Sequence, residues 1–331
     1  MHIQTKFCLL TPDFCLLKEL MNTIEVNNLA KKFGSFTAVD NVSFNVKQGE
    51  IFGFLGANGA GKSTTIRMLI GILEPTSGDA IVGGYSIKKE PDKVKTQIGY
   101  MSQKFSLYND LTVEENIRFF AGVYGLTGKR YDERKKWVLK VANLEGKEKL
   151  LTASLPGGIK QRLALGTAVI HEPKIIFLDE PTSGVDPVSR RNFWDLIHEL
   201  SASGTTVLVT THYLDEAEFC NDIILINSGK LIAQGNAKTL KTNYIKNTIL
   251  EIESDRIVES MEILEKEDWV GETSIFGNYI HIILNDNLKS DKDIIEVLTN
   301  RNSINVYRIS KIVPTLEDVF IHLLEKDKSD V

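Results

Sequence analysis

Gly56 to Thr64 reads GANGAGKST, and its flanks decide how the chain folds around it. The stretch satisfies G-x-x-x-x-G-K-[ST], in which glycines let backbone N–H groups turn inward around a triphosphate, a lysine neutralises the β/γ oxygens and a hydroxyl ligates magnesium. Gly56, Asn58, Gly59, Gly61, Lys62, Ser63 and Thr64 are therefore the expected nucleotide-binding residues. Before them, Glu50 to Leu55 (EIFGFL) is a short apolar run suited to a buried strand. After them, Lys62 to Leu73 suits a helix whose positive N-terminus faces the phosphate. Strand, loop and helix in that order argue against the competing account, a glycine-rich turn with no ligand.

A second element ends in two carboxylates. Ile175, Ile176, Phe177 and Leu178 form a continuous apolar run, as buried parallel strands do, followed by Asp179 and Glu180. Following a phosphate loop, Asp179 is expected to hold hydrated magnesium and Glu180 to polarise the attacking water, although adjacent carboxylates alone would read as a solvated turn. Thr205 to His212 (TTVLVTTH) is another buried-looking strand, ending where active sites gather at the carboxyl ends of parallel strands. His212 is expected at the γ-phosphate by its position, since a lone histidine is more often a surface or packed residue.

From Met21 to about Leu240 these residues resemble the ATP-binding cassette (ABC) ATPases. The resemblance places the loop glutamine at Gln103, a second ligand to magnesium and a catalytic residue beside Lys62, Glu180 and His212. It places the signature sequence at Leu155 to Arg162 (LPGGIKQR), with Leu155, Pro156, Gly157, Gly158 and Gln161 serving nucleotide on the opposite subunit. It also puts the dimer loop at Asp186 and an adenine-stacking aromatic at Phe33, for which burial in a core is the plain alternative. The implied fold is α/β: a P-loop NTPase of ABC-ATPase type, with a mixed sheet core, an antiparallel β layer and a helical subdomain at about 104–172. The implied cofactors are ATP and Mg2+.

The signature departs from the family at Pro156, where a serine is usual. Proline offers no hydroxyl to the γ-phosphate. It is tolerated at the first position of a helix, so GGIKQRLALGTAVI can still point its N-terminus at phosphate. Two readings stay open: a working but weaker composite site, or an impaired half-site in an unequal dimer. The chain holds one phosphate loop, so the resemblance implies pairing with a copy of itself or with a sibling cassette.

Length and composition agree with this. At 331 residues and 42% hydrophobic, the chain can bury a large core over more than one domain. The net charge of −5 gives no global attraction to nucleic acid, and none is expected as a partner. Cys8, Cys15 and Cys220 have no metal or paired-disulfide spacing and fit a reducing compartment. No apolar run approaches the roughly 18 residues that span a membrane. Residues 1–20 lack the pattern of a secretion signal and read as a leader, disordered or not native, with Met21 opening the cassette; a short partner-binding segment is the rival.

Alternation at Val42, Phe44 and Val46 predicts a strand of the antiparallel layer, and Thr112 with Glu115 predicts a capping box. The basic residues Lys129, Arg130, Arg134, Lys135, Lys136 and Lys140 are expected on a solvated helix face, the rival being contact with a partner or acidic lipid. Residues 241–331 alternate βαββαβα, a small α+β ferredoxin-like domain whose last helix opens with Pro314 and Thr315, with Glu317 and Asp318 in its first turn, which ordinary capping explains. Its VPTLEDVFIHL, together with THYLDEAEFCNDIILINSGKLIAQG, also resembles ATPases of ABC-2 type exporters, including multidrug and antibiotic exporters. That implies a separate multi-spanning membrane permease and a peripheral position on the inner face of the cell membrane. The alternative is a soluble ABC ATPase acting on a ribosome, DNA or cofactor-assembly complex. A P-loop kinase would have no use for the signature sequence.

Overall fold

The computed structural model describes residues 22–103, 107–285 and 289–329, the side chains beyond 326 excepted. The leader at 1–20, Met21, Cys8 and Cys15 lie outside the described residues. Two compact units divide between Gln234 and Gly235. The expected boundary at 240/241 falls later, and the helix Ala237–Tyr244 explains the difference, since it packs against the last helix, Leu316–Ser329, of the second unit.

In the first unit, strands β1 (Asn22–Phe33) and β2 (Phe36–Lys47) pair antiparallel, as do β1 and β4 (Ser77–Val82), and β4 and the short β5 (Tyr85–Ser86). The alternating Val42, Phe44 and Val46 are all buried, as period-2 patterning requires. Phe44 stacks on Phe52 with ring centroids 5.3 Å apart, joining this layer to the central sheet. That sheet runs through β3 (Ile51–Leu55), β6 (Ile98–Met101), β7 (Ile175–Asp179), β8 (Thr206–Thr211), β9 (Asp222–Asn227) and β10 (Lys230–Gly235), in the order β10-β9-β3-β8-β7-β6. The stretch from β9 to β6 is parallel. Every residue of β3, β7 and β8 is buried, because helices and the antiparallel layer cover both faces. Parallel pairing brings the ends of β3, β7 and β8 to one edge, where Gly56, Glu180 and His212 follow.

The helices of this unit are α1 (Lys62–Leu69), α2 (Pro91–Gln97), α3 (Val113–Val123), α4 (Gly128–Ala142), α5 (Gly157–Ala168) and α6 (Pro187–Ala202). The capping box of α3 is formed: Glu115 N–H donates to Thr112 Oγ1 at 3.3 Å and Thr112 N–H to Glu115 Oε2 at 2.8 Å. Such a cap is worth about 1 kcal/mol. Val113, Ile117, Val138, Leu163 and Ile170 form the separate apolar core of the helical subdomain. The basic face of α4 is only partly the solvated face expected. Arg134 lies over the Trp137 ring at 4.3 Å and donates to the carbonyls of Ile170 and Val169, while Lys135 pairs with Glu114.

The second unit contains α7 (Ala237–Tyr244), β11 (Ile249–Ser254), α8 (Ile257–Leu264), β12 (Val270–Phe276), β13 (Tyr279–Leu284), α9 (Asp291–Ile295) with a π turn to Arg301, β14 (Val306–Ile312) and α10 (Leu316–Ser329). Its antiparallel sheet has the order β12-β13-β11-β14, the ferredoxin-like arrangement. Gly277, at φ +57°, closes the β12–β13 hairpin where Phe276 pairs with Tyr279.

Candidate nucleotide site

The loop between β3 and α1 has its shape because glycine occupies the crowded and left-handed positions. Gly61, at φ +106°, caps α1, and a Cβ there would lie 2.5 Å from the Ala38 carbonyl oxygen. A Cβ on Gly56 would lie 2.3 Å from the Ile226 carbonyl oxygen. No other residue type fits either place without moving backbone.

Lys62 is 5% exposed and donates from Nζ to the carbonyls of Gly56 at 2.7 Å and Ala57 at 3.2 Å. Burial pulls its ammonium below the usual lysine range, and the carboxylates of Glu180 and Asp179 oppose that pull. Ser63 Oγ donates to Asp179 Oδ1 at 3.1 Å, and Thr210 Oγ1 donates to the same oxygen at 2.7 Å. Glu180 lies beyond the end of β7 with Oε1 3.5 Å from Lys62 Nζ. Gln103 Nε2 donates to Glu180 Oε2 at 2.8 Å. His212 Nδ1 is 3.2 Å from that oxygen but forms no hydrogen bond with it, its direction being wrong. Glu180 itself has φ +48°, a sparsely populated conformation for a non-glycine residue, held by its N–H donating to Thr210 at both O and Oγ1.

These side chains surround a cleft of about 670 Å³ lined by Phe36, Ala38, Asn58, Gly59, Gly61, Lys62, Ser63, Thr64, Gln103, Glu180, Ser183 and His212. The structure thus gathers the phosphate loop, the loop glutamine, the carboxylate and the histidine in one place. Phe33 is not in the lining. It is 49% exposed, which removes the alternative of a core phenylalanine, and its ring lies 5.2 Å from Lys31 Nζ. Phe36, its partner across the β1–β2 hairpin, lines the cleft instead. Sequence reading missed Phe36, because which hairpin ring faces the loop depends on the bulged register of β1 against β2. Thr210 was also missed, although it stands next to the last residue of β8, close before His212.

None of Leu155, Pro156, Gly157, Gly158 or Gln161 lines this cleft. Pro156 stands at the N-cap of α5, one place before the expected first helical position, and provides no side-chain cap. A Cβ on Gly158 would lie 2.4 Å from Ser189 Oγ, so α5 begins in close contact with the first turn of α6. Asp186 caps α6, accepting from Ser189 N–H at 2.9 Å; bonds from Ser189 hold its carboxyl below the ordinary range. Cys220 is buried, which pushes its thiol up and leaves it unreactive.

Residues 39–183 match the ABC transporter family, and residues 235–324 match the ATP-binding protein DrrA1-3-like C-terminal domain. The probable multidrug ABC transporter ATP-binding protein YbhF of Escherichia coli (strain K12) is 50% identical over 251 residues, covering 76% of this chain; the match spans 43% of YbhF. The linearmycin resistance ATP-binding protein LnrL of Bacillus subtilis (strain 168) is 40% identical over 72% of this chain and 76% of its own length. Nod factor export ATP-binding protein I of Ralstonia nicotianae is 36% identical, with 76% and 79% covered. Among solved structures, an ATP-binding subunit of an ABC transporter superposes with a TM-score of 0.62 at 31% identity, over 67% of this chain and 93% of that one. A dimeric ATP-binding cassette in a post-hydrolysis state bound to ADP and Pi gives 0.59 at 29% identity, over 64% and 98%.

Proposed function

The chain belongs to the ABC transporter family of ATP-binding proteins, and from that premise we propose that it is the ATP-hydrolysing subunit of an ABC-2 type exporter, driving export through a separate multi-spanning membrane permease. The observation that carries the hydrolytic half is the convergence of Lys62, Glu180, Gln103 and His212 on one phosphate cleft. The exporting half rests on the DrrA-like second unit and on relatives named for multidrug, linearmycin-resistance and Nod-factor export. No described helix is long and apolar enough to cross a membrane, which accords with a peripheral position on the inner face and a separate permease.

The residues fit both implied groups. The glycine cradle and the buried Lys62 ammonium suit a triphosphate. The Ser63 hydroxyl beside Asp179 suits Mg2+, which takes few protein oxygens and completes its shell from phosphates and water. Ser63, Asp179 and Gln103 would hold it, and when bound it neutralises charge on the phosphate oxygens. Lys62 binds the β/γ oxygens, and Phe36 offers a face to the base. Glu180, fixed by Lys62, Gln103 and the Thr210 backbone, orients the attacking water and accepts its proton. His212 stands beside that carboxylate at the cleft wall. Phosphoryl transfer to water needs positioning and charge stabilisation more than covalent chemistry, and this set supplies both.

The signature residues lie away from the chain's own cleft, which supports their use on a partner's nucleotide, from a copy of the chain or a sibling cassette. Pro156 leaves the first N–H groups of α5 free of any side-chain cap, so the helix end still suits an anion. Tagged Glu180→Gln, purified from gently solubilised membranes with ATP, tests the reading: a multi-spanning protein should accompany it in about one-to-one amount. Recovery with ribosomes or another soluble assembly instead would overturn it.

A further inference from the structure

His212 is not fixed by Glu180 through a hydrogen bond, yet its place beside that carboxylate matters. Its ring also meets the Tyr213 ring, with centroids 4.1 Å apart and planes inclined by 37°. Over Tyr213 lies the guanidinium of Arg190, its Cζ 4.1 Å from the ring centroid. Arg190 sits in the first turn of α6, where its N–H donates to the Asp186 carbonyl at 2.9 Å. Its Nε is 3.5 Å from Oε1 of Glu216, a carboxylate of 0% exposure. The same oxygen accepts from Thr182 Oγ1 at 2.6 Å. Arg190 also reaches Asp215 at 3.7 Å.

One buried carboxylate thus ties together three segments: the turn after Glu180, the start of α6 and the turn after His212. As a stabilising device it is poor. A buried charge is costly unless fully bonded, and here Glu216 Oε2 and Arg190 Nε are both buried without a hydrogen-bond partner. Apolar packing would hold the segments more cheaply, so the gain lies in fixing where the histidine stands.

We propose that Arg190 and Glu216 are positioning residues for the hydrolytic step, with Arg190 clamping Tyr213 and thereby setting His212 against Glu180. The proposal rests on the ATPase reading above. Its test is steady-state ATP hydrolysis by the purified full chain. Arg190→Met and Tyr213→Leu should each lower kcat about tenfold, the scale of a sub-ångström displacement of a reacting group. The KM for ATP should stay within about twofold, since the phosphate loop is untouched. The double variant should be no slower than the worse single one, because both remove the same clamp. Tyr213→Phe keeps the ring and should keep at least about half of the wild-type kcat. Losses that multiply in the double variant, an unchanged kcat, or a raised KM at constant kcat would each overturn the clamp. If Arg190→Met does not fold, Glu216→Gln is read in its place; it keeps an acceptor for Thr182 and removes the charge facing Arg190. A wild-type chain that hydrolyses no ATP would instead overturn the ATPase reading itself.

Discussion

Histidine meets carboxylate in both units, and one encounter from each shows how chemically alike pairs can be physically opposite. In the first unit His212 lies 3.2 Å from Glu180, with the imidazole 31% exposed on the wall of a cleft. In the second, His281 Nδ1 is hydrogen-bonded to Asp318 Oδ1 at 2.8 Å, with both side chains almost wholly buried. Its Nε2 is 3.5 Å from Glu251, and the Phe276 ring stacks over it at 4.0 Å. Asp318 Oδ2 also accepts from Thr315 N–H and Oγ1, each at 2.7 Å, so one carboxylate caps α10 and pins that helix to β13. The sealed pair is joined by a hydrogen bond and buried, with nowhere to admit a reactant. The open pair has no hydrogen bond between its members, His212 Nδ1 being without a partner, and its carboxylate stands on a strained backbone. Access and incomplete satisfaction, not the residue types, separate a site from a strut.

The largest way to break this contrast is Glu180→Gln. Loss of the proposed proton acceptor should cut kcat by about 100- to 1,000-fold with nucleotide affinity retained, as measured by turnover and by equilibrium binding. Asp318→Ala should do the reverse. It leaves His281 buried without its main partner and should cost about 3 kcal/mol of stability in the second unit, read by hydrogen exchange across β11 and β13, with little change in turnover.

Acid sharpens the same point. Burial would raise the Asp318 carboxyl, but bonds from His281 and Thr315 outweigh it and hold the group below its ordinary value of 3.8. The unfolded chain therefore takes up this proton first. The contribution is fully present above the ordinary carboxyl value and is lost as pH falls through the lower folded one. Unfolding of wild type followed below pH 3.8 should be steeper in pH than that of Asp318→Asn. The smallest effect is expected at the cleft rim: Phe36→Ala should weaken ATP binding about fivefold, the value of one aromatic stack, and Phe33→Ala less. A larger loss at Phe33 would reassign the base to that ring.

The legible parts of the molecule are those in which neighbouring residues decide the outcome. GANGAGKST encodes its own turn, Thr112 and Glu115 their own cap, and the order of elements after Ile249 its own sheet. The convergence of Asp179, Glu180 and His212 could be read because parallel strands end on one edge. What stayed hidden depends on contacts distant in sequence. Thr182 reaches Glu216 and His281 reaches Asp318, and no local pattern announces those pairs; Gln103, which reaches Glu180, was placed by the family resemblance and not by any pattern of its own. The left-handed backbone of Glu180 was equally illegible, because a glutamate gives no hint of positive φ. The solvated face expected of α4 failed at Arg134 for a related reason: the two carbonyls it serves belong to the end of another helix.

Lys62 carries a consequence for the speed of nucleotide capture. Its ammonium rests on the Gly56 and Ala57 carbonyl oxygens of its own loop. Nucleotide arrival at this cation is therefore a ligand exchange, oxygen for oxygen, rather than the assembly of a binding site from a collapsed loop. Exchange of that kind needs a turn of the Lys62 side chain and no rearrangement of the strand or helix on either side. Stopped-flow mixing should then find nucleotide association limited by diffusion.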